Sequence, residues 1–372
     1  MSICLSHQWI LAFSNKLESC FKSIYYFVAG AHSILNFVDT NSEYLYVSNQ
    51  SPLKLAIKMN ILITGATGFI GRHLVQRLKQ SHHTIKVLSR DGMRASRKLG
   101  VPAYSWDYAT QEVPTEALEN IQVIIHLMGE NLGDGRWTDA RKRAIYESRI
   151  LSTRKLVTAA PSCLECFICG SAIGIYPGQG DDVYDESYVV PDHGDFMQTI
   201  CRDWEKEAAN IESRGVRRVS IRTGVVLGEG GMLAKLLPLF KLGLGGPIGQ
   251  GHQWLPWIHI HDLVSIYETA VLDTRYRGPV NVVSPNPVRY RDFATALGKT
   301  LHRPAFFPTP AFILKLVLGE AAALALNSYH IVPAKLLQTY QFDFKFTSLL
   351  AALEDLFGKG WMVHRNDCDQ NQ

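Results

Sequence analysis

The sequence of 372 residues has little excess charge of either sign, because 38 Lys and Arg residues oppose 34 Asp and Glu, for a net charge of +4. Proteins that bind nucleic acids or membrane surfaces usually concentrate basic residues on one face, so we expect neither partner. Long apolar runs are lacking as well. The longest, residues 24–38, holds about 15 residues with His32 and Asn36 among them, whereas a membrane-spanning helix needs about 20. Since 47% of the residues are hydrophobic, the composition indicates a globular protein with a sizeable core.

Cysteines are too few and too unevenly placed for a disulfide framework. There are seven, an odd number, and Cys163, Cys166 and Cys169 fall close together. A chain of this length does not depend on disulfides, so we expect a reducing compartment and predict a cytoplasmic location. The Cys-x-x-Cys-x-x-Cys spacing is also found in metal sites, but residues 166 and 169 of a strand would face opposite ways. We therefore expect no metal.

Arginine is missing from the start of the chain, where Arg72 is the first to occur and aromatic residues are frequent. Residues 1–58 lack the order of a secretory signal and the arginines of an organelle transit peptide. We interpret them as an extension outside the fold, with Met59 as a possible true start.

A glycine-rich motif follows Met59. The apolar run 60–64 precedes Gly65-Ala-Thr-Gly-Phe-Ile-Gly71, and residues 72–79 have the apolar spacing of a helix. Glycines permit a sharp turn and a close approach of the backbone to a pyrophosphate, and the helix start offers free N–H groups. The motif predicts a dinucleotide site that includes Gly65, Thr67, Gly68, Phe69, Ile70 and Gly71.

The end of the second predicted strand bears on the choice of dinucleotide. An NAD site usually offers Asp or Glu there, but the sequence is Leu88-Ser89-Arg90. A hydroxyl and a guanidinium suit a 2′-phosphate, so we predict NADP(H), with NAD(H) less favoured. Asp91 weighs against this, and Arg90 could also be a surface residue that begins a polar loop through residue 98.

Strand and helix patterns alternate along the rest of the chain, with predicted strands at 84–88, 102–106, 123–127, 167–170, 218–222 and 279–283. This alternation predicts an α/β fold, a Rossmann-type doubly wound parallel sheet. Ligands of such sheets bind at the carboxyl ends of the strands. The expected site therefore also includes Asp107, Leu127, Met128, Gly129, Ser171 and Val226.

The last part of the chain has a mainly helical pattern. We predict an NAD(P)-binding domain over residues 59–285, of which 232–271 contribute to a substrate lobe, a C-terminal helical domain over 286–360, and a frayed tail over 361–372. The apolar run 311–326 is interrupted by Lys315 and Glu320. We interpret this run as a buried helical pair.

Six motifs occur in a fixed order: Gly65–Gly71, Gly129-Glu130-Asn131, Glu147-Ser148-Arg149, Arg222–Gly228, Leu242–Gly249 and Trp257–Asp262. Together they resemble the atypical extended short-chain dehydrogenase/reductases of the epimerase family, which are sugar-nucleotide epimerase-like proteins. The resemblance runs from Met59 to about residue 360. It implies a Rossmann domain that binds NADP(H), followed by a smaller, mainly helical C-terminal lobe.

The same resemblance implies roles for single residues. The glycine loop would hold the pyrophosphate, Ser89 and Arg90 the 2′-phosphate, and Leu127 and Met128 the adenosine and ribose. Arg149 would reach toward the cofactor, although spacing alone is equally compatible with a solvated helix charge. Val226 would line the nicotinamide end.

The usual catalytic pair of such reductases is missing. They move a proton with a Tyr and a Lys four residues later, aided by a Ser or Thr at the end of the fifth strand. Aligning Tyr176 with the tyrosine that closes the strand motif puts Ala172 at the hydroxyl position. The helix that should carry the pair offers Phe196 with Ile200 or Met197 with Cys201, and residues 181–213 contain no Tyr-x-x-x-Lys.

Substitutes for this pair can be named from their positions. We take Tyr176 and Ser171 as the candidate catalytic residues. Weaker alternatives are Cys201, which we expect to be a buried thiol, Glu130, and His259 and His261 in a turn where Asp262 is a candidate helix N-cap.

Two functions are favoured at this point, ahead of a third and weaker one, an interaction protein that acts through the C-terminal lobe. The first is an NADP(H)-dependent oxidoreductase or epimerase-like enzyme that acts on a small carbonyl or hydroxyl compound, with nucleotide-linked compounds included. The second is a sensor or scaffold that binds NADP(H) without turnover, which the missing Tyr and Lys favour. A homodimer is compatible with both.

Overall fold

The computed structural model describes residues 58–358 and, before them, the backbone of two short strands, Tyr44–Leu45 and Leu53–Lys54, which pair antiparallel. Apart from these strands and Lys58, the predicted extension at 1–58 lies outside the described residues, as does the predicted tail at 361–372.

Short apolar runs form the strands. They are β1 (Asn60–Thr64), β2 (Thr84–Ser89), β3 (Ala103–Ser105), β4 (Val123–His126), β5 (Cys166–Ala172), β6 (Val183–Tyr184), β7 (Arg217–Thr223), β8 (Val225–Leu227), β9 (Trp254–Leu255), β10 (Trp257–His259), β11 (Gly278–Val282), β12 (Val288–Arg289) and β13 (His330–Ile331).

Seven of these strands build one parallel sheet in the order β11-β7-β5-β4-β1-β2-β3. The order reverses between β1 and β4, and Thr64 at the end of β1 is level with Leu88 and His126. This is the predicted doubly wound sheet, and the turns after β1, β2 and β4 meet at one edge, where such folds bind ligands.

Helices connect the strands. They are α1 (Phe69–Gln80), α2 (Gly92–Leu99), α3 (Thr115–Leu118), α4 (Asp139–Ala159), α5 (Phe196–Ala209), α6 (Gly231–Lys241), α7 (Ile260–Leu272), α8 (Tyr290–Thr300), α9 (Ala311–Leu318), α10 (Ala323–Leu326) and α11 (Leu349–Phe357). Single turns of 3₁₀ helix lie at Ile173–Ile175, Asn210–Arg214 and Gly319–Ala322, and a π-helical turn at Lys335–Thr339.

Two apolar layers enclose the sheet because successive side chains of a strand face opposite ways. Ile61 and Ile63 pack with α1, α2 and α7, whereas Leu62 packs with α3, α4 and α5. Cys166 and Cys169 likewise fall in opposite layers, as predicted.

A third apolar cluster forms the C-terminal lobe, with Phe240 of α6, Phe293 of α8 and Leu353 of α11 at its centre. The buried carboxylate of Asp262 ties this lobe to the start of α7, because it accepts hydrogen bonds from the backbone N–H groups of Lys345 and Phe346. The smaller helical lobe is therefore confirmed, while the boundary at residues 285 and 286 stays a prediction.

The predicted buried helical pair over 311–326 is wrong. No side chain of α9 is buried, and Phe312 and Leu316 are 69% and 73% exposed. Lys315 and Glu320 interrupt the run, and its apolar residues alone do not reveal which of them the rest of the fold covers. Among the described residues, no helix is long and apolar enough to cross a membrane.

The predicted polar loop after Arg90 is also wrong, since residues 92–99 form α2. The Asp91 side chain caps this helix by accepting a hydrogen bond from the Arg94 N–H at 2.9 Å. Asp91 is thus an N-cap, a role for which Asp is strongly preferred.

Candidate functional site

The turn between β1 and α1 is shaped by its glycines. Gly65 has a φ of 68°, in the left-handed region that favours glycine, and a Cβ there would lie 2.8 Å from the Leu127 carbonyl carbon. A Cβ on Gly71 would lie 2.4 Å from the Gly65 carbonyl oxygen. Gly68 is the N-cap of α1 and no side chain caps the helix. The first N–H groups of α1 are therefore available to an anion.

Phe69, at the start of α1, uses its side chain for packing. Cβ atoms on Gly228 and Gly230 would approach its ring to 2.6 and 2.5 Å. The loop between β8 and α6 is thereby held against the glycine turn. A ligand at this turn can therefore bind the backbone N–H of Phe69, since the side chain is used for packing.

A buried polar network holds the ends of β1 and β4 together. His126 Nδ1 lies 2.7 Å from Thr64 Oγ1, and His126 Nε2 lies 3.1 Å from Ser152 Oγ on α4. Thr64 Oγ1 also accepts a hydrogen bond from the Met128 N–H. Burial lowers the pKa of His126 to about 3, so the ring is neutral. The sequence analysis missed His126, whose signal is a polar residue ending the apolar run Val123-Ile124-Ile125.

At the end of β2, the Arg90 side chain is 82% exposed, and its Nη1 lies 3.9 Å from Glu130 Oε1. Since Asp91 is engaged as the cap of α2, its carboxylate does not take the place that an acidic residue has in an NAD site. Ser89 is half-buried beside Arg90. A guanidinium and a hydroxyl thus lie at this edge, as the sequence predicts.

Arg149 lies beneath the loop that follows β4. It is 9% exposed, and its Nη1 donates to the carbonyl oxygens of Glu130 and Ile145 at 3.1 and 3.0 Å. A Cβ on Gly129 would meet the guanidinium carbon at 2.8 Å. The alternative of a solvated helix charge is therefore wrong. Arg149 positions the Gly129–Glu130 loop, and its contact with a cofactor stays a prediction.

The other predicted binding residues follow β3 and β4 or lie in β8. Asp107 is half-buried and accepts a hydrogen bond from the Ala109 N–H at 3.0 Å, which shapes the turn after β3. Leu127 packs on the α1 side of the sheet and Met128 on the α4 side. Val226 packs on the α1 side too.

Tyr176, a predicted catalytic residue, lies in a buried hydrogen-bond network, and its catalytic role stays a prediction. Its side chain is 0% exposed, its hydroxyl lies 2.7 Å from Asn281 Oδ1, and it accepts a hydrogen bond from Arg222 Nη1 at 2.8 Å. Burial raises the pKa of Tyr176 to about 12. Ser171 donates to Glu205 Oε1 at 2.7 Å and is also buried.

The group that organises this network is an ion pair that the sequence analysis missed. Arg222 on β7 donates from Nε and Nη2 to the two oxygens of Glu205 on α5, at 2.8 and 2.9 Å. The side chains are 4% and 12% exposed. A bidentate pair at this depth fixes α5 against the sheet.

A cavity of about 150 Å³ lies at the carboxyl ends of β5 and β7 and the start of β8, between the sheet and the C-terminal lobe. Ala172 and Met197, at positions where the resemblance leads one to expect Ser and Tyr, both line it. Val225 lines it, whereas its neighbour Val226 does not, because neighbouring strand residues face opposite ways. The place of Val226 at the nicotinamide end stays a prediction. From the lobe come Tyr290, Leu324 and Tyr329.

An open cleft of about 640 Å³ adjoins the cavity at Gln253, which lines both. Arg289 lies in its wall, 3.9 Å from the Trp254 ring centroid and paired with Asp181 at 2.8 Å. Arg291 lines the same cleft.

Two of the weaker candidates, Cys201 and His259, are buried. Burial raises the pKa of the Cys201 thiol to about 12, as expected for a buried thiol. His259 is the N-cap of α7 in place of Asp262, since His259 Nδ1 accepts from the His261 N–H at 3.1 Å. Burial lowers the pKa of His259 to about 4. Within residues 58–358, no three His, Cys, Asp or Glu residues are placed to hold a metal ion.

Comparison with protein families gives two matches. Residues 61–282 match the NAD dependent epimerase/dehydratase family, and residues 309–356 match a domain of unknown function, DUF1731. The epimerase family protein SDR39U1 homolog, chloroplastic, of Arabidopsis thaliana is 35% identical over 306 residues, which are 80% of this chain and 86% of that protein.

Two solved structures are similar as well. Human epimerase family protein SDR39U1 (isoform 2), crystallised with NADPH, is 32% identical with a TM-score of 0.72, over 81% of this chain and 100% of that one. A nucleoside-diphosphate sugar epimerase from Corynebacterium glutamicum is also 32% identical, with a TM-score of 0.66, over 85% of this chain and 62% of that one.

Proposed function

Because the chain belongs to the NAD dependent epimerase/dehydratase family, we propose that it binds NADP(H) in the crevice at the ends of β1, β2 and β4. The observation that carries this proposal is the end of β2, where Arg90 is exposed and Asp91 is used as a helix cap. The human relative crystallised with NADPH supports the same cofactor. When bound, this cofactor supplies or accepts a hydride.

The glycine turn fits a pyrophosphate. Side chains at Gly65 and Gly71 would collide with backbone atoms at 2.8 and 2.4 Å, so the chain turns back at a distance that only glycine allows. No side chain caps α1, which leaves the N–H groups of its first turn to bind an anion. We assign the pyrophosphate to residues 65–71, with the N–H groups of Phe69 and Ile70 as donors and Thr67 beside them.

The remaining assignments follow from position in the crevice. Ser89 and Arg90 hold the 2′-phosphate. The adenosine and ribose lie against residues that end β3 and β4 and begin the following loops, which are Asp107, Leu127, Met128 and Gly129. Arg149 fixes this last loop from below. We assign Val226 to the nicotinamide end because its neighbour Val225 lines the cavity.

We further propose that the protein is an oxidoreductase or epimerase-like enzyme whose substrate occupies the 150 Å³ cavity. The cavity lies at the carboxyl ends of sheet strands, where substrates of such folds bind. A sensor without turnover is the second candidate, because Ala172 and Met197 present no ionisable group there. The cytoplasmic location and the homodimer stay predictions.

Titration of the purified protein with NADPH and NADH, followed by nicotinamide fluorescence, tests the cofactor. Tighter binding of NADPH is expected, and tighter binding of NADH would contradict the proposal. Incubation with NADPH and a mixture of small carbonyl compounds, followed by absorbance of the reduced nicotinamide, tests turnover. Tight NADPH binding without oxidation would favour the sensor.

A further inference from the structure

One buried hydroxyl on the cavity wall has no partner. Tyr290 begins α8, is 1% exposed and lines the cavity. Within the described part of the chain, nothing hydrogen-bonds to its Oη. A buried polar group left without a partner costs about 1–3 kcal/mol, and native proteins keep few of them.

The other buried side-chain atoms without partners in the described residues belong to side chains that do not line the cavity, such as His73 and Ser265. A second tyrosine on the wall offers a direct comparison. Tyr329 also lines the cavity, but its hydroxyl accepts a hydrogen bond from Asn327 Nδ2 at 3.1 Å. Tyr290 is therefore the wall residue whose hydroxyl has no partner within the described part of the chain.

The rest of the wall limits what that ligand can be. No Asp, Glu, Lys, Arg or His is among the residues that line the cavity, and most of them are apolar, Leu132, Met232 and Leu255 for example. An ion placed there would lose its hydration without gaining a counter-charge, which is very costly. The wall therefore selects an uncharged ligand.

Size sets a second limit. A volume of about 150 Å³ is comparable to that of an engineered apolar protein cavity that takes up benzene, so the ligand has roughly six to eight non-hydrogen atoms. A nucleotide sugar is several times larger and carries a charged diphosphate.

We propose that the cavity binds a small, uncharged and mainly apolar carbonyl or hydroxyl compound, whose oxygen hydrogen-bonds to the Tyr290 hydroxyl. This names the substrate class of the proposed enzyme, and it rests on that proposal in taking the cavity as the substrate site. Burial raises the pKa of Tyr290, which keeps its hydroxyl protonated at neutral pH and able to donate to a carbonyl oxygen. Tyr290 is then a binding and positioning residue.

Calorimetric titration with two probes tests the proposal. One probe is cyclohexanone, and the other is methylenecyclohexane, which has the same shape but no oxygen. We expect Tyr290→Phe to weaken cyclohexanone binding about three- to tenfold, the value of one neutral hydrogen bond, and to leave methylenecyclohexane binding unchanged. Tyr329→Phe is the matched control and should alter neither affinity by more than about twofold.

Urea unfolding of the unliganded Tyr290→Phe protein provides an independent readout. A hydroxyl kept for a ligand can be removed without loss of stability, whereas a hydroxyl with a structural role would lower the free energy of unfolding. Three results would overturn the proposal. The first is that neither probe binds, the second is that Tyr290→Phe and wild type bind cyclohexanone with equal affinity, and the third is that UDP-glucose displaces cyclohexanone.

A parallel NADPH titration separates this proposal from the proposed function. Cyclohexanone binding without NADPH binding would refute the cofactor assignment and leave the cavity assignment intact. NADPH binding without cyclohexanone binding would refute the cavity assignment alone.

Discussion

Replacing Arg90 with Ala removes the guanidinium that we assign to the 2′-phosphate. In the unliganded protein this side chain is 82% exposed, and its ion pair with Glu130 is 3.9 Å long. Such an exposed pair contributes at most about 1 kcal/mol, so the variant should fold normally. Any loss of affinity for NADPH then reports the contact with the cofactor.

A charge-assisted hydrogen bond contributes about 1.5–3 kcal/mol, which corresponds to an increase of about 10- to 140-fold in the Kd for NADPH. The exposure of Arg90 to solvent and salt favours the lower half of that range. NADH has no 2′-phosphate, so its Kd should change less than about twofold.

Fluorescence titration of both cofactors at two salt concentrations measures these changes. Arg97→Ala is the matched control. Arg97 is an exposed cation near the end of the adjoining α2, so its replacement removes the same charge without altering the site. An unchanged NADPH affinity in Arg90→Ala, or an equal loss for NADH and NADPH, would refute the assignment.

Three further predictions concern the surrounding structure. Gly71→Ala places a Cβ 2.4 Å from the Gly65 carbonyl oxygen and should cost about 1–3 kcal/mol of stability and most of the NADPH affinity. Gly68→Ala, with its nearest contact at 3.2 Å, should lose less stability in urea unfolding than Gly71→Ala. Burial lowers the pKa of His126 from 6.5 to about 3, so below pH 6.5 the unfolded chain binds a proton that the folded chain does not. Because of this residue, urea unfolding should show about 2 kcal/mol less stability at pH 5 than at pH 7. A His126→Gln variant whose stability depends on pH as strongly as that of wild type would contradict this prediction. Glu205→Gln leaves the buried Arg222 guanidinium without its counter-charge and should lower the free energy of unfolding by about 3–5 kcal/mol, while a loss below 1 kcal/mol would mean that the pair is solvated.

The nucleotide-binding part could be predicted because its signals are local. The apolar run 60–64, the glycines at 65, 68 and 71, and the helix after them are contiguous, and each residue type answers a backbone requirement of its own position. The alternation of strands and helices in turn predicts a parallel sheet with helices on both faces.

The cavity and its support could not be predicted because they depend on long-range packing. Tyr176 stands at a plausible motif position, yet its partners Arg222 and Asn281 are 46 and 105 residues away. Tyr290 is an ordinary aromatic residue at a helix start until the fold places it on the cavity wall. Periodicity likewise gave no sign that α9 would be exposed.

The residues of the cofactor crevice are closer together in the sequence than those of the cavity, and this difference affects the order in which the two sites form during synthesis. Apart from Val226, the residues assigned to the cofactor lie between Gly65 and Arg149, whereas the cavity brings together Leu132 and Tyr329. A chain emerging from the ribosome can assemble the first site before the second exists, since contacts close in sequence form earlier than distant ones. Bound cofactor would then stabilise the half-made chain while the C-terminal lobe is still being translated.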